Sequence, residues 1–140
     1  MRLLIVNGPN LNFLGQREEQ IYGNESFTSY FERMKSSSAA SLEYVQSNIE
    51  GELINILQGS DHDAIVFNAG GYTHTSVAIR DCIEAITVPV VEVHISNIAS
   101  RESFRHTSLL SPVAEGCIFG FGLQSYDLAV DYCMNYLNKR

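Results

Sequence analysis

Arg17 and Tyr22 lie five residues apart between Gly15 and Gly23. A phenol ordinarily ionises near pH ~10, so tyrosine is a poor base at neutrality. A neighbouring guanidinium favours the phenolate and brings that value down. Tyrosine and arginine on a loop that closes over a ligand would therefore make a device for removing a proton. An ordinary surface loop with a packed tyrosine suits the same residues, and spacing alone does not separate the two. Glu92-Val93-His94-Ile95-Ser96-Asn97 offers the complementary function. In a strand, Glu92 and His94 point to the same face. A carboxylate two positions from a histidine orients the ring and keeps it basic enough to serve as an acid. A half-buried, hydrogen-bonded pair without a catalytic task fits equally well.

Asn68-Ala69-Gly70-Gly71-Tyr72-Thr73-His74-Thr75-Ser76 follows another apolar run. Its glycines allow close backbone approach, and Asn68 offers both a donor and an acceptor. Thr73 or Thr75 suits the cap of a following helix, whose first amides suit an anion. A plain glycine-rich turn explains the same residues. Downstream, Arg101 and Arg105 could grip a hydroxylated or carboxylated ligand, or remain solvated on the surface. The two lysines, Lys35 and Lys139, belong to no candidate site, which disfavours imine chemistry. His62, His74, His94 and His106 fit no metal-ligand spacing and no cysteine is placed to help them, so metal binding is not expected.

These residues need elements to hold them. Leu3-Leu4-Ile5-Val6, Ala64-Ile65-Val66-Phe67, Val90 to Ile95 and Gly116 to Gly120 are short, β-branched and bounded by turn residues. They read as buried parallel strands, with Ser41 to Gln46 as a weaker fifth. Helical patterns lie between them. One starts near Ser26 or Thr28 and carries Phe27, Tyr30, Phe31 and Met34 on one face; another covers Gly51 to Leu57. A third starts near Thr75 with Val77, Ile79, Cys82, Ile83 and Ile86, and the last runs from about Leu123 to Leu137 with Leu128, Ala129, Tyr132, Cys133 and Tyr136. Such alternation predicts an α/β fold: a flavodoxin-like, doubly wound, five-stranded parallel sheet of order 2-1-3-4-5. Ligands in such folds bind at the carboxyl ends of the strands, near the switch point. That rule selects the segments after Val6, Phe67 and Val93. The connection from Gly8 to Asn24 is long, which in a compact domain usually means function, often as a lid.

Composition narrows the class. The 140 residues suit a single domain over 1–140, and the apolar content of 45% is enough for one core. A net charge of -7 and the lack of any Lys/Arg run argue against nucleic-acid binding. An anionic ligand would have to be held by local arginines or backbone donors. Leu3 to Val6 is too short for a signal peptide or membrane span. Cys82, Cys117 and Cys133 are odd in number and far apart, as reduced, buried thiols of a cytoplasmic protein would be.

The fragments also form one pattern. Gly8-Pro9-Asn10-Leu11-Asn12-Phe13-Leu14-Gly15 leads to Arg17 and Tyr22-Gly23. Gln46-Ser47-Asn48 precedes Glu50-Gly51-Glu52. Asn68-Ala69-Gly70-Gly71 continues through Thr73-His74-Thr75-Ser76-Val77-Ala78 to Arg80-Asp81. Glu92 to Asn97 is followed by Arg101, Phe104 and Arg105, then by Ser111-Pro112, Gly116, Gly120 and Gly122. In order and over essentially the whole chain, these blocks resemble the motifs of type II 3-dehydroquinate dehydratases. The resemblance implies conversion of 3-dehydroquinate to 3-dehydroshikimate in the shikimate pathway, with no metal and no organic cofactor. It implies a dodecamer, a tetramer of trimers. It makes Tyr22 the base, with Arg17 lowering its pKa, and His94 the acid, oriented by Glu92. Asn10 would hold a water against the enolate. Asn68 and the amides of Ile95 and Ser96 would hold the carboxylate, His74 and Arg105 the ring hydroxyls, and Asp81 would reach a neighbouring subunit's site. Phe13, Tyr72 and His106-Thr107 depart from the usual pattern without changing a residue given a chemical role.

Other readings of the same fold fare worse. A phosphoreceiver needs acidic residues where Asn7 and Asn68 stand. A flavin module needs free amides after the first strand, and Pro9 removes one. A catalytically dead homologue is disfavoured because Tyr22, Arg17 and His94 are all present.

Overall fold

The computed structural model describes residues 1–16 and 25–137. Five strands form one all-parallel sheet: β1 (Arg2–Asn7), β2 (Ser41–Gln46), β3 (Ala64–Asn68), β4 (Val90–His94) and β5 (Gly116–Phe119). Their order is β2-β1-β3-β4-β5, the doubly wound order that the alternation predicts. β1, β3 and β4 are buried along nearly their whole length. Their runs are continuous rather than alternating because both sheet faces are covered.

Among the described residues, four α-helices supply the cover: α1 (Phe27–Ser37), α2 (Glu50–Gly59), α3 (Val77–Ala85) and α4 (Gln124–Asn135). On one face, Phe27 and Phe31 of α1 and Tyr126 and Val130 of α4 pack on Leu3, Ile5, Val66 and Val93. On the other, Leu53 and Leu57 of α2 and Ile79 and Ile83 of α3 pack on Val6, Ile65, Phe67 and Val90. The side chains of each strand thus divide between two cores by simple alternation. Among the described residues, no helix is long and apolar enough to cross a membrane.

Three local expectations need correction. The cap of α3 is neither Thr73 nor Thr75 but Ser76, whose Oγ accepts from the Ile79 amide at 2.9 Å. The chain first makes a 3-10 turn over Gly70–His74, which delays the helix and buries Thr73. Val77 is exposed at the start of α3. Leu128 in α4 and Tyr136 just past its end are exposed, and the buried stripe is Tyr126, Ala129, Val130 and Cys133. Both stripes have helical spacing, so periodicity alone does not choose between them; the partners available to the Tyr126 hydroxyl do.

The carboxyl ends of β1 and β3 are tied together where the chains leave the sheet. The Gly8 amide donates to the Asn68 carbonyl at 2.7 Å. A Cβ at Gly8 would stand 2.5 Å from the Ala69 carbonyl oxygen, so only glycine permits this approach.

Candidate active site

A concave pocket of about 140 Å³ opens at the carboxyl ends of β1, β3 and β4, where the strand-end rule for such sheets puts a ligand. Its wall brings together Asn10, Asn68, His74, His94, Ile95, Ser96 and Arg105. Arg101 lies on the same wall. Arg17 and Tyr22 lie outside the described residues. Asp81 is not on this wall; it is exposed on α3, where its carboxylate accepts from Arg80 Nη1 at 2.8 Å.

His94 ends β4 and is buried, as is Glu92 beneath it. Glu92 Oε2 lies 3.3 Å from His94 Nε2. That is ion-pair distance, but His94 Nε2 makes no aligned hydrogen bond. The rest of the carboxylate is heavily solvated by protein. Ser108 Oγ donates to Oε1 at 2.5 Å and lies 3.0 Å from Oε2. Ser111 Oγ donates to Oε2 at 2.7 Å, and Cys117 Sγ approaches the same oxygen at 3.0 Å. Thr73 Oγ1 is 3.4 Å from Oε1. Burial alone would push the Glu92 carboxyl up. The close approach of the His94 ring, the Ser108 bond, the positive charge His94 carries when protonated, and the Cys117 bond outweigh it and hold the group down at about 2. The His94 imidazole on the pocket wall is therefore backed, out of the pocket's reach, by an ionised carboxylate.

Cys117 corrects the expectation that no cysteine is placed beside a histidine. Its sulfur, a Glu92 oxygen and a His94 nitrogen all lie within 4.8 Å of one another, which is close enough for a shared metal ion. Burial, with the Glu92 charge, pushes the Cys117 thiol up to about 12. At neutral pH it is an S–H donor to the carboxylate and not a thiolate, so protons hold this cluster together.

A second polar network lies on the opposite face. The Tyr126 hydroxyl, fully buried, donates to Asn7 Oδ1 at 2.7 Å and accepts from Asn68 Nδ2 at 2.8 Å. Asn68 Oδ1 accepts from the Gly70 amide at 3.1 Å. The Asn68 side chain is thereby fixed by a helix on one side and a turn on the other, with its second amide proton left for a ligand. Sequence reading missed Tyr126, Ser108, Ser111 and Cys117. Ser111 sits inside one of the quoted motifs and was the one available signal.

Local devices set the remaining groups. Asn10 adopts a left-handed conformation, φ 71°, which asparagine tolerates better than most residues. Asn48 Oδ1 anchors it by accepting from its amide at 3.0 Å. His74 donates from Nδ1 to the Thr107 carbonyl at 2.8 Å. In the neutral ring that leaves Nε2 as an acceptor, suited to a ligand hydroxyl. Arg105 Nε donates to Glu102 Oε2 at 2.5 Å, holding the guanidinium at the pocket rim. Such a site can bind a small hydroxylated anion and move a proton at its floor.

Comparison with known proteins agrees over the full length. A sequence profile described as "Dehydroquinase class II" matches residues 1–134. A 3-dehydroquinate dehydratase from Fusobacterium nucleatum is 47% identical, over 99% of this chain and 100% of its own. One from Trichodesmium erythraeum is 49% identical, over 99% and 95%. The crystal structure of the type II dehydroquinase from Butyrivibrio crossotus superposes with a TM-score of 0.92 at 44% identity, covering 96% of this chain and 98% of that one.

Proposed function

The chain belongs to the class II dehydroquinase family, and we propose that it converts 3-dehydroquinate to 3-dehydroshikimate, a shikimate-pathway step, by anti elimination of water. The observation that carries this reading is His94 on the wall of the strand-end pocket with the buried Glu92 carboxylate 3.3 Å behind it. A dehydration needs an acid for the departing hydroxyl, and an imidazole backed by an ionised carboxylate supplies one.

In the proposed sequence, Tyr22 acts as a phenolate, with Arg17 lowering its pKa. It takes a proton from the carbon next to the ketone. The electron pair of that C–H bond becomes the enolate, which a water held by Asn10 stabilises. The enolate then collapses to a carbon–carbon double bond as the C–O bond breaks. His94 gives its proton to the leaving oxygen, and water departs. Tyr22 ends protonated and His94 neutral, so one proton must return from phenol to imidazole before the next turnover. Asn68 and the amides of Ile95 and Ser96 hold the substrate carboxylate, and His74 and Arg105 hold ring hydroxyls. No step calls on a metal or organic cofactor.

The working unit we propose is a cytoplasmic dodecamer, a tetramer of trimers, each chain one domain over 1–140. Asp81 serves a neighbour's site across the trimer contact. Its exposure on α3, away from its own pocket, supports that assignment. The test is direct. Protein mixed with 3-dehydroquinate should generate the ultraviolet absorbance of a conjugated enone. Tyr22→Phe should reduce the rate by about 10²–10⁴-fold, the usual cost of losing a positioned base. Absence of the enone with wild-type protein would overturn the reaction; near-normal turnover in Tyr22→Phe would overturn the base.

A further inference from the structure

Cys117 lies on β5 directly across from Glu92 in the parallel register. Partners in such a ladder point to the same sheet face, which is how a residue 25 positions away comes to touch the carboxylate. Glu92 Oε2 then has four claimants: Ser111 Oγ at 2.7 Å, Ser108 Oγ at 3.0 Å, Cys117 Sγ at 3.0 Å and His94 Nε2 at 3.3 Å. A carboxylate oxygen has about two good lone-pair directions. Four groups cannot all be well aligned on it, and His94 is the one without an aligned bond.

We propose that Cys117 is a positioning residue whose S–H occupies Glu92 Oε2, keeps His94 from closing fully onto that oxygen, and so sets how firmly the acid holds its proton. The proposal rests on the reading of His94 as the acid. Its physical basis is competition. Each donor on Oε2 draws off part of the negative charge that His94 would otherwise face alone. The serines hold the carboxylate from the loop before β5, and the thiol holds it from the strand. Because the thiol stays protonated throughout the working range, its effect is a constant bias and not a switch. Among the described residues, the other ionisable groups that face the pair are His74, whose ring lies 6.4 Å from that of His94, and Arg101 and Arg105 on the pocket wall. Changes at Cys117 leave all three in place.

With the thiol removed, Oε2 is free to align with His94, and the acid should keep its proton to higher pH. Cys117→Val should therefore move the alkaline limb of the kcat/KM profile upward by about half a pH unit, the scale of one modest hydrogen bond. Cys117→Ser, which retains an O–H donor, should leave that limb where wild type has it. A residue that merely filled space would change kcat or stability without moving the limb. Should Cys117→Val fail to fold, Cys117→Ala takes its place.

A second measurement does not depend on catalysis. The infrared S–H stretch of Cys117, assigned by its loss in Cys117→Ser, should lie low in wild-type protein and rise when Glu92→Gln weakens the acceptor. A stretch indifferent to Glu92→Gln would overturn the hydrogen bond. An alkaline limb unmoved in both Cys117→Val and Cys117→Ala would overturn the tuning. Failure of the reaction reading shows instead as no enone with wild-type protein, and the infrared result stands or falls apart from it.

Discussion

Two buried polar clusters flank the same strand ends on opposite faces of the sheet. Beneath α1 and α4, Asn7, Tyr126 and Asn68 are uncharged, and the Tyr126 hydroxyl both gives and takes a hydrogen bond. Beneath α2 and α3, Glu92 is ionised, several donors crowd it, and His94 Nε2 is left without an aligned partner. The first cluster directs its bonding capacity inward except for one Asn68 amide proton at the pocket, so it can hold but not transfer a proton. The second, in the proposed mechanism, keeps a mobile proton beside a fixed charge. Burial is the same in both, so burial does not mark the reactive group; incomplete pairing next to a charge does.

The comparison breaks most sharply at His94. His94→Ala should fold yet lose about 10²–10⁴-fold in kcat, the range for a positioned acid. Enone formation within tenfold of wild type by a variant with unchanged circular dichroism would put the acid elsewhere.

An acid titration of stability sharpens the contrast next. The folded Glu92 value of about 2 lies below its ordinary value of 4.5. A group depressed on folding adds stability above its unfolded value and loses it as pH falls through the folded value. The Glu92 contribution should be complete above pH ~5 and disappear between roughly pH 4.5 and 2, on the order of 3 kcal/mol in all. Urea unfolding of wild type and Glu92→Gln should therefore give stabilities that approach each other as pH falls. Two parallel curves would mean that Glu92 carries no such charge.

The smallest effect belongs to the neutral cluster. Tyr126→Phe leaves Asn7 Oδ1 and Asn68 Nδ2 without the hydroxyl, at a cost of about 1–3 kcal/mol. Burial pushes the Tyr126 phenol far above its usual range, so this loss should be constant over the same acid window. In the enone assay KM should rise more than kcat falls, because in the proposed mechanism Asn68 binds and does not react. A deficit that varies with pH, or one confined to kcat, would erase the distinction between the clusters.

Much of this was legible in the chain itself. Strand runs ending in turn residues gave the five strands, their alternation with helices gave the parallel sheet, and the two-residue spacing of Glu92 and His94 gave their shared face. What escaped depends on register between distant segments. The contact of Cys117 with Glu92 exists only because β5 pairs β4 in one particular alignment. Tyr126 was hidden because α4 carries two apolar stripes of equal period. Ser76 took the cap expected of Thr73 or Thr75 because a 3-10 turn intervened. In each case a tertiary fit chose between local alternatives of similar merit.

The approach of Gly8 to Ala69 has a consequence for how this gene can change. Any missense mutation at that codon adds a Cβ, and a Cβ there meets a backbone carbonyl at 2.5 Å, not a side chain that can swing aside. The same turn carries the amide that holds the Asn68 carbonyl. The position therefore has no mild neighbours in sequence space. A lineage cannot drift through it by small steps, and any descendant that changes it must rebuild the junction of β1 and β3 in the same event.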